Sequence, residues 1–159
     1  MVSAKWLFTN HRNHLAMVAY FEDELKRLEA EKDEVIEGMT LARPPIDQRP
    51  NTSSGSSPTE RIALHYDEEM NLTVQIAEFR RRQRANQHWL QLYKSVLSCF
   101  TEEEAWLIEN YYVNGLSQTA LSSITSGPVY GYSRSTISRH LKRIIVLANQ
   151  IIQELEAAT

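Results

Sequence analysis

Two long stretches of this chain repeat apolar residues at alternating steps of three and four, and that spacing limits the fold more than any other feature. In the first, Val18, Phe21, Leu25, Leu28, Lys32, Val35 and Met39 form a heptad-like seam with one polar interruption at Lys32. In the second, Leu72, Ile76, Phe79, Gln83, Asn86, Leu90, Tyr93 and Leu97 repeat the pattern, with Gln83 and Asn86 as polar breaks. Such steps put every member on one narrow stripe of an α-helix. A narrow stripe buries too little alone, so each seam needs a partner helix, from the same chain or from another subunit. The expectation is an all-α fold whose N-terminal part consists of long, coiled-coil-like helices. The first runs from about Asn10 to Gly38, and the second from about Glu60 to Leu97 with Asn71 as a candidate break.

Punctuation divides the remainder. Residues 40–59 hold four of the five prolines together with a run of Ser, Thr, Asn and Gly, which reads as an extended, flexible linker. Thr59, between Pro58 and Glu60, is the expected cap of the second helix. The chain therefore reads as an amphipathic helix over 1–39, a linker over 40–59, a central helical segment over 60–98 and a C-terminal domain over 99–159. Acids around the first seam, such as Glu22, Glu29 and Glu34, are read as a solvated face. Arg80, Arg81, Arg82 and Arg84 form the densest positive tract, expected as a solvated collar with some salt bridges to the acidic first helix. Arg43 and Arg49 read as solvated linker charges.

The C-terminal domain opens with Thr101-Glu102-Glu103-Glu104, a capping box with three acids at the positive end of a helix dipole. Trp106, Leu107, Ile108, Tyr111 and Tyr112 supply that helix's packing face, and Asn114-Gly115 ends it. Ser117 caps a short second helix, Gln118 to about Ile124, with Ala120, Leu121 and Ile124 inward. After the loop TSGPVYGY, where Tyr130 and Tyr132 are expected to pack, Ser133 caps a long final helix. On it Ile137, Leu141, Ile144 and Ala148 share one stripe, while Ser135, Arg139 and Lys142 share the opposite one. Ile145, Val146, Leu147, Ile151, Ile152 and Leu155 are too apolar for a lone surface helix and should pack back on Trp106 and the tyrosines or across a dimer.

Charge distribution matters more than its sum here. The 17 basic and 20 acidic residues give a formal net charge of −3, unlike a protein that coats nucleic acid indiscriminately. Between Asn110 and Gln153, however, there are four bases and no acid. A nucleic-acid face would therefore be local, and a front of Arg, Lys, Ser and Thr suits phosphates and guanine edges in a major groove.

These three helices, TEEEAWLIENYYVNGLSQTALSSI followed by YSRSTISRHLKRIIVLANQII, match a helix-turn-helix order. The segment resembles DNA-binding region four of bacterial sigma factors, and more closely the phage transcriptional regulators of the ArpU and RinA type. In such proteins a Ser-x-x-Thr-Ile/Val-x-x-x-Leu segment is the recognition helix, and here it falls on Ser133, Thr136, Ile137 and Leu141. Two departures stand out: Ala120-Leu121 replaces the usual Ile-Ala, and eight residues separate Ile124 from Ser133 where the family turn is short. The resemblance and the helical wheel together aim Arg134, Ser135, Ser138, Arg139 and Lys142 at the groove, with Arg143 on the flank and Thr136 and Ser117 at backbone phosphates. The resemblance implies double-stranded DNA as partner, a homodimer, contact with bacterial RNA polymerase at a late promoter, and the cytoplasm of the host cell. Rival readings are a small terminase-like DNA-packaging subunit, which would be a ring, and a polymerase-binding module without DNA affinity.

Nothing points to catalysis. No Gly-rich phosphate loop, nucleophile elbow or carboxylate pair is recognisable, and no cofactor is expected. His11 and His14 share a helical face but have no partner at metal-ligand spacing, so a metal site is not expected. Cys99, the single cysteine, reads as a buried packing residue beside Phe100 in a chain free of disulfides. No window is apolar enough for a membrane span, and the N-terminus has no signal-peptide pattern.

Overall fold

A computed structural model describes residues 2–41 and 58–158, and among these all regular structure is helical. The elements are α1 (Ala4–Thr9), α2 (His11–Leu41), α3 (Pro58–Leu97), α4 (Glu102–Leu107), a π-helical stretch (Ile108–Val113), α5 (Gln118–Ser122) and α6 (Arg134–Ala157). The chain divides into two compact units, residues 18–84 in one and residues 1–17 with 85–159 in the other. The segments read from the sequence follow helix boundaries, whereas these units cut through α2 and α3. Of the expected linker, residues 42–57, with Arg43 and Arg49, lie outside the described residues.

In the unit of residues 18–84 the two seams close on each other within the chain. Leu25 and Leu28 of α2 meet Leu72 and Ile76 of α3, with Val35 and Phe79 packed against them. The pairing is antiparallel: Phe21 meets Phe79 edge to face at 5.6 Å, while farther along α2 Lys32 reaches Glu69 at 3.8 Å. Lys32, the polar residue in its seam, thus keeps its ammonium on an acid of the facing helix. The expected break at Asn71 is absent, since α3 runs unbroken through it. Helix α3 also starts at Pro58, so Thr59 lies inside the first turn and not before it; a proline fits there because its missing N–H would have no intrahelical partner.

Around the middle of α3 the arginine tract is tied to acids on both helices. Arg80 donates to Glu29 at 2.6 Å, and Arg81 and Arg82 both donate to Glu78. These two guanidiniums hold the Glu78 carboxyl at about 2, well under its ordinary value, chiefly through their hydrogen bonds.

The second unit has a larger core, and the part that the N-terminal residues play in it was not foreseen. Helix α1, capped by Ser3 accepting from the Trp6 amide, sends Ala4, Leu7 and Phe8 to full burial. They meet Leu92, Tyr93 and Val96 of α3, Leu107 and Ile108, Leu121, Val129, and the stripe Ile137, Leu141, Ile144, Ala148 and Ile152 of α6. Each Leu, Ile, Val or Phe side chain among them contributes about 1.5–3 kcal/mol by leaving water. The amide of Ala4 donates to Asn149 Oδ1 at 2.8 Å, which fastens α1 to α6. Beside α1, buried His14 places Nδ1 2.8 Å from Asn86 Oδ1, so Asn86 serves as a specific partner within its seam. His11 stacks on Tyr93 at 3.7 Å, and burial followed by the neighbouring His14 lowers its pKa.

Several local expectations fail for geometric reasons. Cys99 is exposed, because α3 ends at Leu97 and the turn that follows takes it off the seam; its Sγ contacts the Ser95 carbonyl at 3.4 Å. The half-buried Phe100 packs there instead. Ala120 is exposed because α5 is so short that Leu121 alone fills the inward position, with Ile124 half-buried after it. On α6, Val146 is 58% exposed, two helical steps from Ile144 and hence on the far side.

Candidate nucleic-acid interface

Local chemistry fixes where α6 begins. Ser133 has an extended backbone and its Oγ accepts from the Thr136 amide at 3.2 Å, while the Ser135 and Thr136 hydroxyls lie 2.8 and 2.9 Å from the same oxygen. That hydroxyl cluster holds the first turn of the helix. Ahead of it, the wide turn is anchored by Val129, which is 1% exposed. Gly127 and Gly131 take positive φ values of 111° and 82°, a region that side chains with a Cβ rarely enter.

The tyrosines of this turn divide. Tyr132 packs on His140 at 5.4 Å and donates to Glu103 at 3.1 Å, whereas Tyr130, expected to pack, is 66% exposed. Its backbone explains this. The Tyr130 amide bonds the Gly127 carbonyl and the Tyr132 amide bonds the Val129 carbonyl, so Val129 turns inward and its neighbour faces water.

Ser135, Arg139 and Lys142 stand exposed opposite the buried stripe of α6, Arg143 is exposed beside them, and Arg134, on the side of the stripe, is exposed because it opens the helix. Ile137 and Ile144 on the other side have no exposure, so the helix has one sealed face and one open cationic face. Arg143 stands on the flank, 4.0 Å from Glu104, a buried acid. That acid completes the expected capping box: Thr101 Oγ1 accepts from the Glu104 amide, and the carboxylate accepts from the Thr101 amide at 3.2 Å.

Thr136 and Ser138 are half-buried, so their hydroxyls are less available than those of the outer residues. Ser138 lies with Lys142, Gln118, Tyr111, Tyr112 and Val146 around a surface cleft of about 370 Å³. Gln118 therefore brings the start of α5, which Ser117 caps by accepting from the Ala120 amide at 3.1 Å, to the edge of the basic face. Arg139 is the residue of the basic set most nearly opposite the middle of the buried stripe of Ile137, Leu141, Ile144 and Ala148.

Sequence reading did not find Gln118 or the two tyrosines as neighbours of this face. For the tyrosines the reason is the π-helical stretch: the Asn114 amide reaches back five residues to the Glu109 carbonyl, at 2.8 Å, which shifts the phase of the side chains around it. Tyr111 and Tyr112 then meet edge to face at 4.8 Å, and burial raises the Tyr112 hydroxyl to about 12. Gly115, with φ of 73°, ends the stretch as expected.

Among the described residues no group of three or more His, Cys, Asp or Glu side chains is placed to hold a metal ion, and no helix is long and apolar enough to cross a membrane. Comparison with protein-family models, with curated proteins and with solved structures gave no match.

Proposed function

We propose that the chain is a sequence-specific DNA-binding regulator of phage or prophage transcription. It acts through a helix-turn-helix formed by α5 and α6, with the front of α6 in a major groove. One observation carries this: Arg134, Ser135, Arg139 and Lys142 stand exposed on a helix whose other face is sealed, in a stretch with no acid from Asn110 to Gln153. An ordinary surface helix mixes both signs, and its bases are met by acids at helical spacing. Arg139 and Lys142 would meet base edges, Arg134 and Ser135 the groove near the helix start, and Arg143 and Ser117 the phosphates on either side. The Thr136 and Ser138 hydroxyls play a smaller part because they are half-buried. Contact with RNA polymerase is proposed on the family resemblance alone.

The test selects duplexes from a random pool with the full chain, then measures affinity for the selected site over a salt series. Arg139→Ala should weaken specific binding by about 1–3 kcal/mol and relax one base position, whereas Arg143→Ala should weaken all sequences alike and lower the salt slope by about one. Lys26→Ala, far from α6 in sequence and paired with Glu22, should change little. Equal losses from Arg139→Ala and Lys26→Ala, or no selectable site, would remove the assignment.

A further inference from the structure

We propose that a second copy of this chain docks antiparallel along the outer face of α3, with Val74 at the two-fold axis. The unit of residues 18–84 uses one stripe of α3 to meet α2, and a second stripe is left facing solvent. Ala63, Asp67, Met70, Val74, Ala77 and Arg81 recur at steps of four, three, four, three and four, the spacing of a coiled-coil seam, and every one of them is exposed. Met70 is 50% and Val74 65% exposed, and Tyr66 beside them is 58% exposed.

The order of residues in the stripe selects the occupant. Asp67 stands seven residues before Val74, and Arg81 seven after it. Two copies laid antiparallel about Val74 therefore bring the Asp67 of each onto the Arg81 of the other, with Met70 over the small Ala77 and Val74 on Val74. A parallel pair would instead stack Asp67 on Asp67 and Arg81 on Arg81, two like-charge contacts. Such a two-fold contact is isologous and closes on itself, as dimers of identical chains do.

Arg81 holds Glu78 through Nε and Nη2, both at 2.9 Å, which leaves Nη1 to meet a second carboxylate. The core of this unit is small, four buried residues with two more against it, and a layer on its open side would add to it. The proposal does not rest on the DNA reading, and its tests contain no DNA.

The experiment is sedimentation velocity of the full chain over a concentration series up to about 100 μM, a range that detects even weak self-association. The expected mass at the top of the series is twice the 18.4 kDa of one chain. Val74→Glu, which puts two carboxylates on the axis, should raise the dissociation constant by about 100-fold or more without loss of helical signal. Asp67→Arg alone should weaken association, and Asp67→Arg together with Arg81→Asp should restore it. In a Cys99→Ser background, Val74→Cys should form an interchain disulfide and Ala63→Cys should not. A chain that stays monomeric throughout would overturn the proposal and leave the stripe to a different partner. So would a dimer unaffected by Val74→Glu, or equal cross-linking of Ala63→Cys and Val74→Cys, which would mean a parallel pair.

Discussion

Replacing Ile137 by alanine tests whether α6 is held by the stripe that its sequence pattern implies. Ile137 has no solvent exposure and sits in one cluster with Leu141 and Ile144. The substitution deletes three buried carbons, a loss of roughly 2.4 kcal/mol at about 0.8 kcal/mol each. A residual void of about 50 Å³ would add roughly 1 kcal/mol. We expect a total of about 3–4 kcal/mol. Val146→Ala, on the same helix but 58% exposed, should cost under about 0.5 kcal/mol. All three tryptophans, Trp6, Trp89 and Trp106, belong to the unit that contains α6, so fluorescence during urea unfolding reports that unit directly. The midpoint should fall sharply for the first variant and hardly move for the second, with the same slope. Similar shifts for both would refute the reasoning, because burial would then not be what holds the helix.

Three further outcomes are expected. Asn86→Ala removes the acceptor from the buried His14 Nδ1 and should destabilise the same unit by about 1–3 kcal/mol, read from the same fluorescence transition. Thr101→Ala removes the hydroxyl that accepts from the Glu104 amide, while the backbone amide of residue 101 still donates to the Glu104 carboxylate, and should lower stability by about 1 kcal/mol, whereas Thr101→Ser should retain most of it. On acidification, two groups should titrate out of their usual range by nuclear magnetic resonance. The Glu78 side chain should protonate near pH 2, and His11 below its ordinary 6.5. Both folded values are depressed, so each group's contribution to stability is complete above its unfolded value and declines as pH falls toward the folded one. For His11 that decline should begin near pH 6.5, and for Glu78 only in the more acidic range below its ordinary carboxylate value.

Features decided by neighbours a few residues apart were readable in the chain. The Thr101–Glu104 box, the Ser133 cap and the stripe of Ile137, Leu141, Ile144 and Ala148 depend only on helical spacing and capping chemistry. The helix pairing was half readable: each seam demanded a partner, but only the fold shows that Leu25 and Leu28 find Leu72 and Ile76 in the same chain. Helix α1 was missed because six residues are too few to display a period, and because Ala4, Leu7 and Phe8 are defined by partners far away in sequence. His14 likewise shows nothing locally that would join it to Asn86. The phase change at Ile108–Val113 has no distinctive residue to announce it, so the positions of Tyr111 and Tyr112 beside Ser138 and Lys142 could not be drawn from a regular wheel. For the candidate site, helical spacing put the charged residues on the face that the fold leaves open. It overrated the half-buried hydroxyls of Thr136 and Ser138 and did not include Gln118.

The hydrogen bond from Ala4 to Asn149 spans 145 positions of the chain. During synthesis the first helix leaves the ribosome long before its last partner exists, and the Ala4 amide has no Asn149 to bond until the final helix has emerged. Residues 18–84 contain both halves of their own core and are under no such delay. A ribosome halted ahead of Ser133 would therefore hold one core complete and another still open where Ile137, Leu141, Ile144 and Ile152 belong, the kind of surface that chaperones bind and proteases cut.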